Sequence, residues 1–65
     1  MNKTALILLF SNRLSTLEVK KDIVTKTMLE STVDEKEAYT DFIKTLSDEI
    51  RWLESMLNFV KQSYE

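Results

Sequence analysis

The 65-residue sequence contains no glycine, proline, cysteine or histidine. Without cysteine it cannot form a disulfide, and without cysteine and histidine it lacks the usual zinc ligands, so we expect neither a metal nor a cofactor. Glycine and proline build turns and break helices, and their absence favours long helices with few connections. A sandwich or barrel needs several turns and is therefore disfavoured.

The same absences argue against an enzyme. Histidine is the commonest general base, the cysteine thiolate is a common nucleophile, and glycine-rich loops bind phosphates. The acidic pairs Asp34-Glu35 and Asp48-Glu49 are each adjacent in sequence, so their carboxylates point to different parts of a helix surface. We therefore expect a binding protein with no catalytic residue.

The second half of the chain carries the clearest pattern that is present. Apolar residues recur there at alternating spacings of four and three, which predicts a helix from about residue 33 to 63. The predicted packing stripe of this helix consists of Tyr39, Ile43, Leu46, Ile50, Leu53, Leu57, Val60 and Tyr64.

The first half has a similar stripe, which predicts a helix over about residues 3–30. An alternative start at Ser15 remains open, because residues 5–10 could form a short buried strand and Ser15–Glu18 has capping-box spacing. Lys21 is the polar member of the stripe, and such a residue either fixes register or extends its charge to water. The apolar members are Ile7, Phe10, Leu14, Leu17, Val24 and Met28.

The two stripes are out of phase by one residue, and a helix-start signal lies between them. Thr32/Glu35 and Asp34/Glu37 both have capping-box spacing, and acidic residues suit a helix N-terminus. We therefore predict a single all-α domain, an antiparallel two-helix hairpin with its turn at about residues 31–33. The alternative is one continuous helix in a long coiled coil, which the missing glycine at the end of the first helix would favour.

The apolar surface of the second helix is wider than one neighbouring helix can cover. Its apolar arc is widened to roughly 200° by Phe42, Trp52, Met56 and Phe59. We call these four residues the aromatic stripe. The first helix has a weaker surplus at Ala5, Leu8, Leu9, Val19 and Ile23. Two hairpins packed as a homodimeric four-helix bundle would cover both surpluses. Alternatively, the aromatic stripe is a docking patch for a different protein, since aromatic anchors are enriched at interfaces.

Charge is uneven between the halves, because residues 1–33 have a basic excess and the rest has an acidic one. Complementary charges of this kind favour antiparallel neighbours. A weak nucleic-acid contact could use Arg13, Lys20, Lys21 and Lys26, although these form a sparse cluster without a recognition motif. The plan of a short hairpin that dimerises resembles that of the plasmid Rop protein, which binds paired RNA loops. This resemblance covers length and layout, so it transfers no site.

The apolar run at residues 5–10 is too short for a membrane-spanning helix or for the core of a secretory signal. We therefore expect a cytoplasmic protein without a membrane partner. The leading hypothesis is a small regulator or adaptor, of the kind that bacteria, phages and plasmids use to inhibit or recruit a larger protein, whose partners are a second copy and another protein. The alternatives are a Rop-like nucleic-acid-associated bundle and a structural subunit of a larger assembly.

Overall fold

The computed structural model describes residues 2–63, which form two α-helices joined by a short turn. Helix α1 spans Lys3–Leu29 and helix α2 spans Val33–Ser63. They pack side by side in antiparallel directions, in a body whose Cα trace measures 49 × 14 × 14 Å. Over the described residues the chain forms helices only, so the predicted all-α hairpin is confirmed. Neither helix is apolar enough along its length to cross a membrane.

Helix α1 begins at Lys3. The side chain of Asn2 caps it, with Oδ1 accepting a hydrogen bond of 2.8 Å from the backbone N–H of Ala5. The helix then continues without a break past Ser15, and the hydroxyl of Thr16 donates to the carbonyl of Asn12 at 3.0 Å. A start at Ser15 and a short strand before it are therefore wrong, because the cap at Asn2 already satisfies the helix end.

The end of α1 explains how the chain turns without glycine. The N–H of Glu30 donates to the carbonyl of Thr27 at 3.2 Å, and the N–H of Ser31 donates to that of Met28 at 3.1 Å. The Ser31 hydroxyl also donates to the carbonyl of Thr27 at 2.7 Å. These bonds over three residues tighten the last turn, so no described residue needs a positive φ. The missing glycine therefore does not indicate a continuous helix.

Helix α2 starts at the predicted signal. The N–H of Glu35 donates to Oγ1 of Thr32 at 3.4 Å, while the Thr32 hydroxyl donates to Oε1 of Glu35 at 2.8 Å. The N–H of Lys36 donates to the Thr32 carbonyl at 2.9 Å and closes the first helical turn. Asp34 and Glu35 lie in this first turn, where their charges oppose the positive end of the helix dipole.

The interior is one thin layer between the helices. Leu17 of α1 is 1% exposed and packs in one cluster with Leu46, Ile50 and Leu53 of α2, and Val60 of α2 is also buried. Tyr64 lies outside the described residues. Lys21 is half-buried on the same face as the stripe. The other predicted stripe members are half-buried: Ile7, Phe10, Leu14, Val24, Met28, Tyr39, Ile43 and Leu57.

Replacing Leu17 by alanine should lower the free energy of unfolding by about 2–5 kcal/mol, because it leaves a cavity at the centre of the layer. Val19→Ala is the matched control, since Val19 is exposed on the same helix and its loss should cost less than ~1 kcal/mol. Urea unfolding followed by circular dichroism, at one protein concentration, measures both. Equal losses in the two variants would contradict the assigned interior.

Replacing Thr32 by alanine should cost about 1 kcal/mol, because it removes the side-chain acceptor at the start of α2. Thr32→Ser keeps the hydroxyl and should stay within about 0.5 kcal/mol of the parent chain. The same unfolding measurement separates them, and an alanine variant as stable as the serine variant would show that the cap contributes nothing.

Candidate helix-docking surface

The aromatic stripe lies on one side of α2, beside the packing face. Residues 42, 45, 49, 52, 56 and 59 alternate by three and four, a spacing that aligns them along one side of a helix. Phe42 is 42% exposed, Trp52 57% and Phe59 56%, and Met56 is half-buried. The hairpin therefore leaves most of this stripe uncovered.

Three contacts to α1 show which side of the hairpin this is. Arg13 Nη2 lies 3.0 Å from Glu49 Oε2. Lys20 Nζ lies 6.0 Å from the ring centroid of Phe42, the outer range of a cation–π contact. The rings of Phe10 and Trp52 meet edge to face, with centroids 6.4 Å apart and planes at 90°. Trp52 is thus partly held by its own hairpin and partly open to solvent.

Helix α1 contributes its own row to the same side. Leu9, Arg13, Thr16 and Lys20 are spaced by four, three and four residues, so they align beside the aromatic stripe. All four side chains are exposed, and Leu9 is the one apolar residue among them. We call these residues the α1 row, and together with the aromatic stripe they form the docking side. Sequence reasoning missed the involvement of Glu49 and Thr16, which their helical spacing could have indicated.

The opposite side of the hairpin has a different character. Helical spacing places Glu18 and Asp22 of α1 there, together with Lys44, Arg51 and Glu54 of α2, and all five are exposed. Charged groups on this side remain solvated, whereas aromatic rings on the docking side contact water. The hairpin is therefore two-sided, and the docking side is the one suited to burial.

A second group of exposed apolar side chains lies on the back of α1, directed away from α2. Leu8 and Val19 are each more than half exposed there, whereas the exposed Ile23 follows Lys20 by three residues and lies beside the α1 row. The polar residues Asn12 and Ser15 lie between Leu8 and Val19 on this surface and separate them. This surface therefore offers a smaller continuous apolar area than the aromatic stripe.

The four basic residues considered for nucleic acid do not form one surface. Arg13 is paired with Glu49, and Lys20 lies over Phe42. Lys21 is half-buried on the packing face, while Lys26 occupies the last turn of α1. Helical spacing puts Lys26 about 120° around the helix from Lys20. The cluster thus offers no continuous track for a phosphate backbone.

Asp48 is likewise engaged in an ordinary surface ion pair. Asp48 Oδ1 accepts a hydrogen bond of 3.1 Å from Arg51 Nη2. Both side chains line an open depression of about 280 Å³ on the outside of α2, which Trp52 and Ser55 complete. Among the residues that the structure describes, no group of three or more carboxylates is placed to hold a metal ion.

Comparison of the chain with protein-family models, with curated proteins and with solved structures gave no match. The docking side is therefore the feature of the molecule that bears on its function.

The edge-to-face contact between Phe10 and Trp52 should couple the two residues by about 0.5–1.5 kcal/mol. A double-mutant cycle with Phe10→Leu, Trp52→Leu and the combined variant measures this coupling in urea unfolding at one protein concentration. Leucine keeps apolar volume at both positions and removes the ring geometry. A coupling near zero would contradict the contact.

Proposed function

We propose that this chain is a small, non-enzymatic protein-binding regulator or adaptor that works through helix–helix contacts as a homodimeric four-helix bundle. The observation that carries the proposal is the docking side, where three partly exposed aromatic rings follow one continuous helical stripe. Such a stripe is the surface by which one helix packs in the groove between two others.

The thin interior supports the homodimer. Five apolar side chains are buried among the described residues, and most of the packing stripe is only half-buried. A chain of this length buries little of its surface alone and usually gains stability from disulfides, a metal or an oligomeric interface. The absence of cysteine and histidine removes the first two routes. A second copy would turn the half-buried rows into a common interior.

A second candidate is that the aromatic stripe binds a different, larger protein, which the chain would inhibit or recruit. Trp52 and Phe59 favour this reading because both rings are more than half exposed on an isolated hairpin. Tryptophan is enriched among residues that dominate binding energy, and Met56 could adapt to an irregular partner surface. In this case the hairpin itself would be the active form.

A Rop-like role with nucleic acid has less support, because Arg13 and Lys20 already contact groups of their own hairpin. A structural subunit of a larger assembly would use the same docking side. The isolated chain would then aggregate instead of forming a dimer of defined mass.

Replacing Trp52 and Phe59 together by glutamine should separate the copies, with a rise of at least about a hundredfold in the dimer dissociation constant. The matched control is Leu8→Gln with Val19→Gln, which removes two exposed apolar side chains from the back of α1. Sedimentation equilibrium over a dilution series measures the constants, and helical circular dichroism checks that each variant folds.

Three results would change the account. A dimer that survives the Trp52/Phe59 change would assign the aromatic stripe to another protein. Loss of the dimer in the control variant alone would move the interface to the back of α1. A parent chain that stays monomeric at all concentrations would overturn the homodimer.

A further inference from the structure

The docking side carries enough information to orient the second copy. Resting on the homodimer proposed above, we infer that the two hairpins are related by a two-fold axis parallel to the helices. The α1 row of each copy then lies against the aromatic stripe of the other, and both turns are at the same end of the bundle.

Symmetry leaves two simple ways to bury the same side of both copies. The two-fold axis must lie in the plane of the interface, so for helices that stay aligned it runs either along them or across them. An axis along the helices places α1 on α2 of the second copy and keeps every residue at its own height. An axis across them places α1 on α1 and inverts the heights.

With the axis along the helices, unlike groups meet. The pairs formed inside one hairpin show which residues share a height: Arg13 with Glu49, Lys20 with Phe42, and Phe10 with Trp52. Arg13 therefore meets Glu49 of the second copy, and Lys20 meets the ring of Phe42 of the second copy. Leu9, one residue from Phe10, meets Trp52. Each charge faces an opposite charge or an aromatic ring.

With the axis across the helices, like charges meet. Residue 16 is the midpoint of α1, so Arg13 lies three residues to one side of it and Lys20 four to the other. Inverting the heights brings Arg13 of one copy against Lys20 of the other, twice in the dimer. Juxtaposed like charges at an interface are unfavourable. Charge therefore separates the two arrangements.

The central ion pair has capacity for a second partner. The side chains of Arg13 and Glu49 are 57% and 41% exposed, although they bond to each other. Their bond uses Nη2 and Oε2. A guanidinium has five N–H donors and a carboxylate accepts several bonds, so both can bond across the interface as well. Two copies would form a ring of four alternating charges at one height.

The area of the docking side is sufficient for a stable dimer. The Cα trace projects roughly 700 Å² on a side of 49 by 14 Å, so contact along the whole length of both copies would cover roughly 1,400 Å², within the ~1,200–2,000 Å² of standard stable interfaces. A second copy thus fits the surface in size as well as in charge.

Spin labels at the turn distinguish the two arrangements. The chain has no native cysteine, so a label attaches only at an introduced one. Glu30→Cys introduces one exposed site at the turn of each copy. With the axis along the helices, the two labels share one end of a bundle about 20–25 Å wide, so their separation should be below roughly 30 Å. With the axis across them, the labels lie at opposite ends, close to the 49 Å length of the hairpin.

A label at Ser15→Cys is the control, since this exposed residue lies near the middle of α1 and its separation barely depends on the axis. Pulsed electron paramagnetic resonance on the intact dimer measures both distances. A long Glu30 distance with a normal Ser15 distance would overturn the orientation and leave the homodimer standing. Absence of any intermolecular distance, with a monomeric mass, would overturn both proposals.

Charge reversal is an independent test, because the two arrangements predict changes of the dimer dissociation constant in opposite directions. Under the inferred orientation, Arg13→Glu places a carboxylate against Glu49 of the second copy. The dimer dissociation constant should therefore rise roughly tenfold. The combined Arg13→Glu, Glu49→Arg variant should restore it. Under the crossed arrangement, Arg13→Glu would face Lys20 of the second copy and tighten the dimer. Sedimentation equilibrium reads the direction, and circular dichroism confirms that the hairpin folds.

Discussion

The packing of Leu17 against Leu46, Ile50 and Leu53 is the interaction on which the rest of the hairpin depends. Leu17 is the one buried residue of α1 over its described length, and all three of its partners come from α2. This layer fixes which residues of the two helices share a height. The pairing of Arg13 with Glu49 and the position of Lys20 over Phe42 both follow from that register.

The same layer is too thin to use all the apolar surface that the helices carry. Both helices have apolar residues on more than one side, so a single contact between them leaves Trp52, Phe59 and Leu9 partly exposed. Burying these groups is favourable by ~25 cal/mol per Å² of apolar surface. A helix pair of this design therefore gains more from association than from further packing within one copy, which is the physical basis of the proposed binding role.

Much of the fold could be predicted from the sequence because helical periodicity records which residues pack. The stripes placed Leu17 and Leu53 on the packing face, and Thr32 with Glu35 marked the start of α2. The way α1 ends without glycine could not be predicted, because it depends on backbone bonds from Glu30 and Ser31 that leave no sequence signature. It was also not predicted that the α1 row and the aromatic stripe lie on the same side of the hairpin. A stripe on one helix does not show which flank of the other helix will lie beside it.

The most direct test of the account is the dependence of thermal unfolding on protein concentration, followed by helical circular dichroism over a hundredfold dilution. If a second copy completes the interior, the unfolding temperature should fall steadily with dilution, because association stabilises the folded state by mass action. An unfolding temperature that does not change with concentration, in a chain that stays fully helical, would show that one hairpin is stable by itself and would contradict the account.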